Sequence, residues 1–203
     1  MPTPTSWTFS SEQARTVPWR NGQGTTREVI RVPDRPDWHW RLAVATSTTS
    51  APFSAFPGVD RELLLLHGEA LELRFRGGSA TRLTPGERTR FAGENAVVGV
   101  PTSGATEQLN LMWRRDRVAA HTAVAEVSQR RPLHLGPARW LVVHVLDGAV
   151  SHPFDPGLLE AGDTTVVTGA ESTAFRGQGS LFAARLFAYD AGATTSHGVK
   201  LAG

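Results

Sequence analysis

The chain has 203 residues, 40% of them apolar and 20% charged, with 21 basic against 19 acidic side chains and no cysteine. That balance excludes a disordered or coiled-coil polymer, a disulfide-stapled scaffold and any thiolate metal or redox site, and the length suffices to bury roughly 70% of the unfolded surface. The isoelectric point of about 9.9 is no nucleic-acid signature: Lys200 is the single lysine, the net charge is only +2, and no Lys/Arg run exceeds two residues, too thin a surface to track phosphates.

The N-terminal Met1-Pro2-Thr3-Pro4-Thr5-Ser6 carries no basic stretch ahead of an apolar one, and no run approaches the roughly 18 apolar residues of a membrane span. A soluble, cytoplasmic protein with neither nucleic-acid nor membrane partners is expected. Residues 10–16 have the composition of a short, weakly amphipathic helix. A polar glycine loop follows, Trp19-Arg20-Asn21-Gly22-Gln23-Gly24-Thr25-Thr26-Arg27-Glu28, and leads into the apolar strand 29–32. Residues 38–44 alternate apolar and polar, as a half-buried strand does. Next comes Phe53-Ser54-Ala55-Phe56-Pro57-Gly58-Val59-Asp60-Arg61. Residues 63–66 and 96–100 read as strands buried on both faces, and Leu71-Glu72-Leu73-Arg74-Phe75 alternates. In Gln108-Leu109-Asn110-Leu111-Met112-Trp113-Arg114-Arg115, a strand puts Asn110 and Met112 on one face, opposite Leu109, Leu111 and Trp113. Residues 119–127 offer a second short helix, and 141–146, 164–168 and 181–189 three further buried strands. Glycine (20) and proline (13) punctuate these segments throughout, so the chain is expected to be mostly β.

An internal echo points to duplication. Residues 63–68, then Leu83-Thr84-Pro85-Gly86-Glu87, then Phe91-Ala92-Gly93 match residues 142–148, then Leu159-Glu160-Ala161-Gly162-Asp163, then Val167-Thr168-Gly169. In each, an apolar strand ends at a glycine turn, and a Leu-x-x-Gly-acidic turn introduces a strand that closes on glycine. The pattern predicts an all-β chain of two jelly-roll or cupin-like barrels. Their limits fall at residues 1–118 and 119–203, unless the N-terminal strand crosses to the second barrel.

The chemistry concentrates in the first half. Backbone N–H groups at Gly22 and Gly24, the Asn21 amide and the Arg27 guanidinium form a set able to hold a carboxylate. Arg27, Arg41 and Arg61 supply planar forks for bidentate carboxylate binding; the alternative for each is an ordinary ion pair. Trp19 and Phe56 can wall such a pocket, with Ser54 in the same block as Phe56. Asn110 and Met112 belong to it if their face lines a barrel; otherwise Met112 fills the core and Asn110 satisfies a backbone group. Glu28 serves as a general base only where strand alternation parts it from Arg27. No His-x-His or His-Glu-x-x-His occurs among the seven histidines, so no metal and no cofactor are expected. His67 and His144, at corresponding strand ends of the two repeats, read as satisfied turn positions. Gly-x-Ser-x-Gly and the phosphate-cradling glycine loop are also absent, so no catalytic residue is assigned.

The three blocks at residues 19–28, 53–61 and 108–115, in that order, resemble the HutD/Ves family of bicupins within the RmlC-like cupin superfamily. Its pattern runs Trp-basic-Asn-Gly-x-Gly-x-Thr-Arg-Glu, a Trp-Arg strand, Pro-Phe-Ser-x-Phe-Pro-Gly-x-Asp-Arg, and an Asn-x-Met strand followed by paired arginines. Two positions depart from it: Gln108 stands where an acid usually precedes the Asn strand, and Ala43 where a serine follows Trp-Arg-Leu. The resemblance implies a metal-independent bicupin that binds a small carboxylate or formylated metabolite and modulates histidine utilisation, with N-formylglutamate or urocanate as ligands. Two other classes stay open: a metal-independent isomerase or hydrolase with Glu28 as base, and a ligand-free regulator acting through its surface. Exposed barrel edges make a homodimer reasonable.

Overall fold

The computed structural model describes residues 4–10, 15–19 and 24–189. Every regular element among them is a β-strand: β1 (Thr5–Phe9), β2 (Arg15–Pro18), β3 (Gly24–Val32), β4 (Trp40–Ser47), β5 (Ala51–Pro52), β6 (Val59–His67), β7 (Leu71–Phe75), β8 (Ala80–Leu83), β9 (Arg88–Ala92), β10 (Val97–Pro101), β11 (Thr106–Arg114), β12 (Val118–Val127), β13 (Leu133–Leu135), β14 (Trp140–His152), β15 (Asp155–Glu160), β16 (Thr164–Thr168) and β17 (Thr173–Ala188). Residues 119–127, expected to be helical, lie in β12 instead. There ten consecutive residues pair with β17 from Val118↔Ala188 to Val127↔Gly179, and the tertiary ladder overrides the helix propensity of alanine. Of the other expected helix, residues 11–14 lie outside the described residues, while Arg15 and Thr16 belong to β2.

The strands make three sheets: a six-stranded one in the order β2-β3-β4-β11-β6-β9, a seven-stranded one in the order β1-β16-β14-β17-β12 with β13 on β17 and β15 on β14, and a four-stranded one in the order β5-β10-β7-β8. The pairing is antiparallel throughout, as expected of the all-β chain, but each sheet is open, with unpaired edges where the sequence suggested closed barrels. The N-terminal strand does cross over: β1 pairs with β16 from Thr5↔Thr168 to Phe9↔Thr164.

The internal echo recurs in the hydrogen bonds. Leu65 N–H donates to the Glu87 carbonyl and Gly86 N–H to that of Leu65, while Val145 N–H donates to Asp163 and Gly162 N–H to Val145. In both turns the closing acid accepts from a backbone N–H, Glu87 from Thr84 at 2.8 Å and Asp163 from Glu160 at 2.9 Å. Gly86 and Gly162 have φ of +87° and +92°, which a side chain rarely tolerates.

Alternation divides the apolar residues among layers. Leu64, Leu109, Leu111, Trp113, Trp40 and Leu42 of the six-stranded sheet pack against Val142, Val166, Phe182, Ala184 and Leu186 of the seven-stranded sheet. Leu63, Leu65 and Phe91 point the other way, toward Leu71, Leu73 and Val97 of the four-stranded sheet. Val143, Leu181 and Phe175 form a third cluster on the far side of the seven-stranded sheet. Each fully buried leucine or phenylalanine contributes about 2 kcal/mol.

Candidate ligand-binding cleft

On the six-stranded sheet, the face turned from the central core carries cross-strand rows. Met112 of β11 is flanked by Arg41 of β4 and Arg61 of β6, Asn110 by Ala43 and Leu63, and Gln108 by Ala45 and Leu65. Beyond the leucine core this face opens into a cleft of about 750 Å3. Its floor is Arg41, Ala45, Arg61, Leu63, Gln108 and Asn110, and Pro52, Phe53, Ser54 and Phe56, together with residues 17–19 and Thr26, wall it. The segment after β5 is pinned across it, Phe53 N–H donating to the Val97 carbonyl and Phe56 N–H to that of Gly93.

Arg61 dominates the electrostatics. It is only 5% exposed and lies 5.1 Å from the ring centroids of both Phe53 and Phe91. Its guanidinium makes one hydrogen bond among the described residues, a long one of 3.4 Å to the Ser54 carbonyl. Its Nε has no partner, and no carboxylate pairs with it among the described residues. Burial, and then the charge of Arg41, push its guanidinium down to about 10, so it stays charged at neutral pH. Arg41 lies between Trp38 and Phe56, 5.4 and 4.9 Å from their centroids, and donates from Nε to Met112 Sδ at 3.3 Å. Burial pushes its guanidinium down, opposed by Glu28, whose carboxylate is 3.7 Å away. Aromatic faces thus replace acids as the main support for two cations, leaving a positive cleft. Asn110 Oδ1 is also buried and unpartnered. Orphans of this kind cost about 1–3 kcal/mol each unless something binds them.

Of the residues singled out from sequence, Trp19, Arg41, Ser54, Phe56, Arg61 and Asn110 are brought together here. Trp19 is tied down by Nε1–H to Thr26 Oγ1 at 2.8 Å. Gly24 lies beneath its ring, where a Cβ would meet the Thr46 carbonyl at 2.3 Å, so close approach requires a glycine here. Arg27 is not brought to the cleft. It alternates to the opposite face and pairs with Glu107 at 2.9 Å. Glu28 is parted from Arg27 as strand geometry allows, yet its carboxylate lies 3.7 Å from both Arg31 and Arg41, an ion-pair partner beside the cleft. Met112, 1% exposed, packs with Trp38, Val59 and Phe56 beneath the arginines. Asn21 and Gly22 lie outside the described residues.

Sequence reasoning left Phe53, Thr26 and Gln108 unassigned. Thr26 and Gln108 stand two residues from Glu28 and Asn110 on their strands, so alternation could have found them; Phe53 and Phe91 carried no such signal. Gln108 is fully buried, its amide donating to Thr106 Oγ1 at 2.6 Å and to the Thr106 carbonyl at 3.0 Å. A carboxylate cannot make those bonds, which accounts for an amide at this position.

Among the described residues no three His, Cys, Asp or Glu side chains are grouped as a metal ion would need. His144 is no turn residue: it is buried within β14, with Nδ1 2.8 Å from Thr164 Oγ1. Among the described residues no helix is long and apolar enough to cross a membrane.

The HutD family pattern matches residues 11–183. This chain belongs to the HutD family. It is 40% identical over 134 residues to protein Ves of Cronobacter sakazakii, covering 64% of this chain and 71% of that protein. The solved HutD of Pseudomonas fluorescens SBW25 superposes with a TM-score of 0.83 at 21% identity, over 92% of this chain and 100% of that one. A conserved protein of unknown function from Pseudomonas aeruginosa PAO1 gives 0.81 at 26% identity, over 90% and 98%. The HutD-family fold is accordingly all-β and cupin-like.

Proposed function

We propose that this HutD-family protein binds a small carboxylate-bearing metabolite in the cleft, without a metal, and so modulates histidine utilisation in the cytoplasm. The observation that carries this reading is Arg61: a buried, charged guanidinium with an orphaned Nε, no acid partner among the described residues and a second arginine beside it. A carboxylate supplies the missing charge and accepts from the free N–H. The HutD structure from P. fluorescens SBW25 is of a formate condition, and formate is the smallest carboxylate. In this reading the chain comprises two cupin units, divided near residue 118, with β1 joined to the second through its ladder with β16. The first carries the cleft, while the second is filled with Val143, Leu181 and Phe175 and supports it. An enzyme using Glu28 as base gains nothing from the geometry, because that carboxylate is held between two arginines outside the cleft.

A thermal-shift series with formate, N-formylglutamate, urocanate and glutamate tests the reading. A ligand at about 100 times its Kd adds roughly 2.7 kcal/mol, raising Tm by about 5–10 °C at this chain length. The shift is expected from at least one carboxylate and is lost in Arg61→Ala. The absence of any shift, or one that survives in Arg61→Ala, overturns it.

A further inference from the structure

We propose that two copies of this chain associate edge to edge through β12, antiparallel about a two-fold axis at Val124, so that Glu126 of each copy reaches the Arg88–Arg90 pair of the other. β12 is an outer strand of the seven-stranded sheet. The strands at the other ends of the three sheets are two to five residues long, whereas β12 has ten, Val118-Ala-Ala-His-Thr-Ala-Val-Ala-Glu-Val127. It runs in unbroken register against β17 and has no proline, lysine or bulge, the devices that ordinarily block edge pairing. Its small side chains let a second backbone approach along its whole length.

The charges around this edge choose the occupant. Glu62 is buried, 2% exposed, and its carboxylate accepts from Arg88, from Arg90 at 2.9 Å and from Thr122 Oγ1 at 2.7 Å. Two guanidiniums against one carboxylate leave a net +1 in a solvent-open cavity of about 760 Å3 beside β12. The even-numbered residues of β12 face that cavity: Thr122 touches Glu62 and also Arg88, at 2.8 Å. Alternation puts Val124 and Glu126 on the same face. Val124 is 38% exposed, and the side chain of the exposed Glu126 has no ion pair or hydrogen bond among the described residues.

A two-fold axis normal to the sheet pairs residues of like parity on one face. Centred on Val124, it sets Val124 against Val124 and Thr122 of each copy against Glu126 of the other. Opposed Cβ atoms then stand about 5 Å apart, which brings each Glu126 carboxylate to the guanidinium already bonded to Thr122. The excess positive charge is neutralised twice, and the one large apolar side chain exposed on this edge is covered by its own copy.

The full chain contains no cysteine, so the register can be tested with a single thiol. Sedimentation equilibrium should give twice the 21.9 kDa chain mass. Val124→Arg and Glu126→Arg should each return it to the monomer with unchanged circular dichroism, both positions being exposed. Val124→Cys should cross-link to itself on oxidation, whereas Leu158→Cys, 66% exposed elsewhere, should not. A monomeric wild type, a dimer insensitive to both charge substitutions, or equal cross-linking of the two cysteine variants would overturn the proposal.

Discussion

Burying a guanidinium without a carboxylate is costly, and Arg61 is held in that state by packing: three aromatic rings lie within 6.0 Å of its centre. His144 is a second buried group, neutral because burial, then Arg27 and His67, push its pKa down to about 4 from 6.5. Between those values the unfolded chain takes up a proton that the native state refuses, so stability falls as pH falls from 6.5 to 4, by about 3 kcal/mol in full. His39 and His152 are pushed down as well, chiefly by burial, and act in the same direction. Urea unfolding at pH 7 and pH 4.5 should therefore show His144→Gln losing less stability on acidification than the parent; an identical loss would assign the effect elsewhere. Arg61 was legible as a candidate because it closes the Phe53–Arg61 block that carries the family resemblance, but nothing in the sequence distinguishes its environment from that of Arg27. Their difference is one of strand parity and of what packs above, which only the folded sheet supplies.

Strand β10 acts on the cleft through a glycine. At Gly99 a Cβ would lie 2.7 and 2.8 Å from the Phe53 ring, the ring on which Arg61 stacks. Gly99→Ala should displace Phe53 and weaken carboxylate binding by about tenfold, the scale of a buried cation–π contact, while far-UV circular dichroism stays unchanged; calorimetric titration giving parental affinity would contradict this. At this scale the strands were largely readable, since β7 and β11 alternate and β16 is bounded by turns. One exception is the start of β2, whose Arg15 and Thr16 were expected in a helix; the larger one, β12, has alanine-rich composition that favours a helix locally, and its ten-residue ladder with β17 is a long-range term that no window of sequence contains. The duplicated turns were readable because glycine at positive φ and a following acid are local requirements. The segment carrying Phe53 is pinned by the distant Val97 and Gly93 carbonyls, so while Ser54 and Phe56 were singled out from sequence, the part of Phe53 beneath Arg61 was not.

The whole molecule is organised around the face shared by the two large sheets. Leu63, Leu64, Leu65 and Leu66 are identical side chains, so sequence cannot say which pair enters which core; the structure sends Leu64 and Leu66 to the shared face and Leu63 and Leu65 toward the four-stranded sheet. The partner of β1, some 155 residues away on β16, is equally invisible to local patterning. Because both sheets bury one cluster, the chain should unfold as a unit. Leu111→Ala, at a side chain with no exposure, should cost 2–5 kcal/mol and shift tryptophan fluorescence and far-UV transitions together; separated transitions would show two independent units. The central claim, that the cleft receives a carboxylate on Arg61, is read most directly by NMR of the arginine Nε–H groups during titration with formate and N-formylglutamate. One resonance, absent from Arg61→Gln, should move saturably with the ligand. If every arginine resonance stays fixed, or if those that move also move in Arg61→Gln, Arg61 is not the carboxylate's partner.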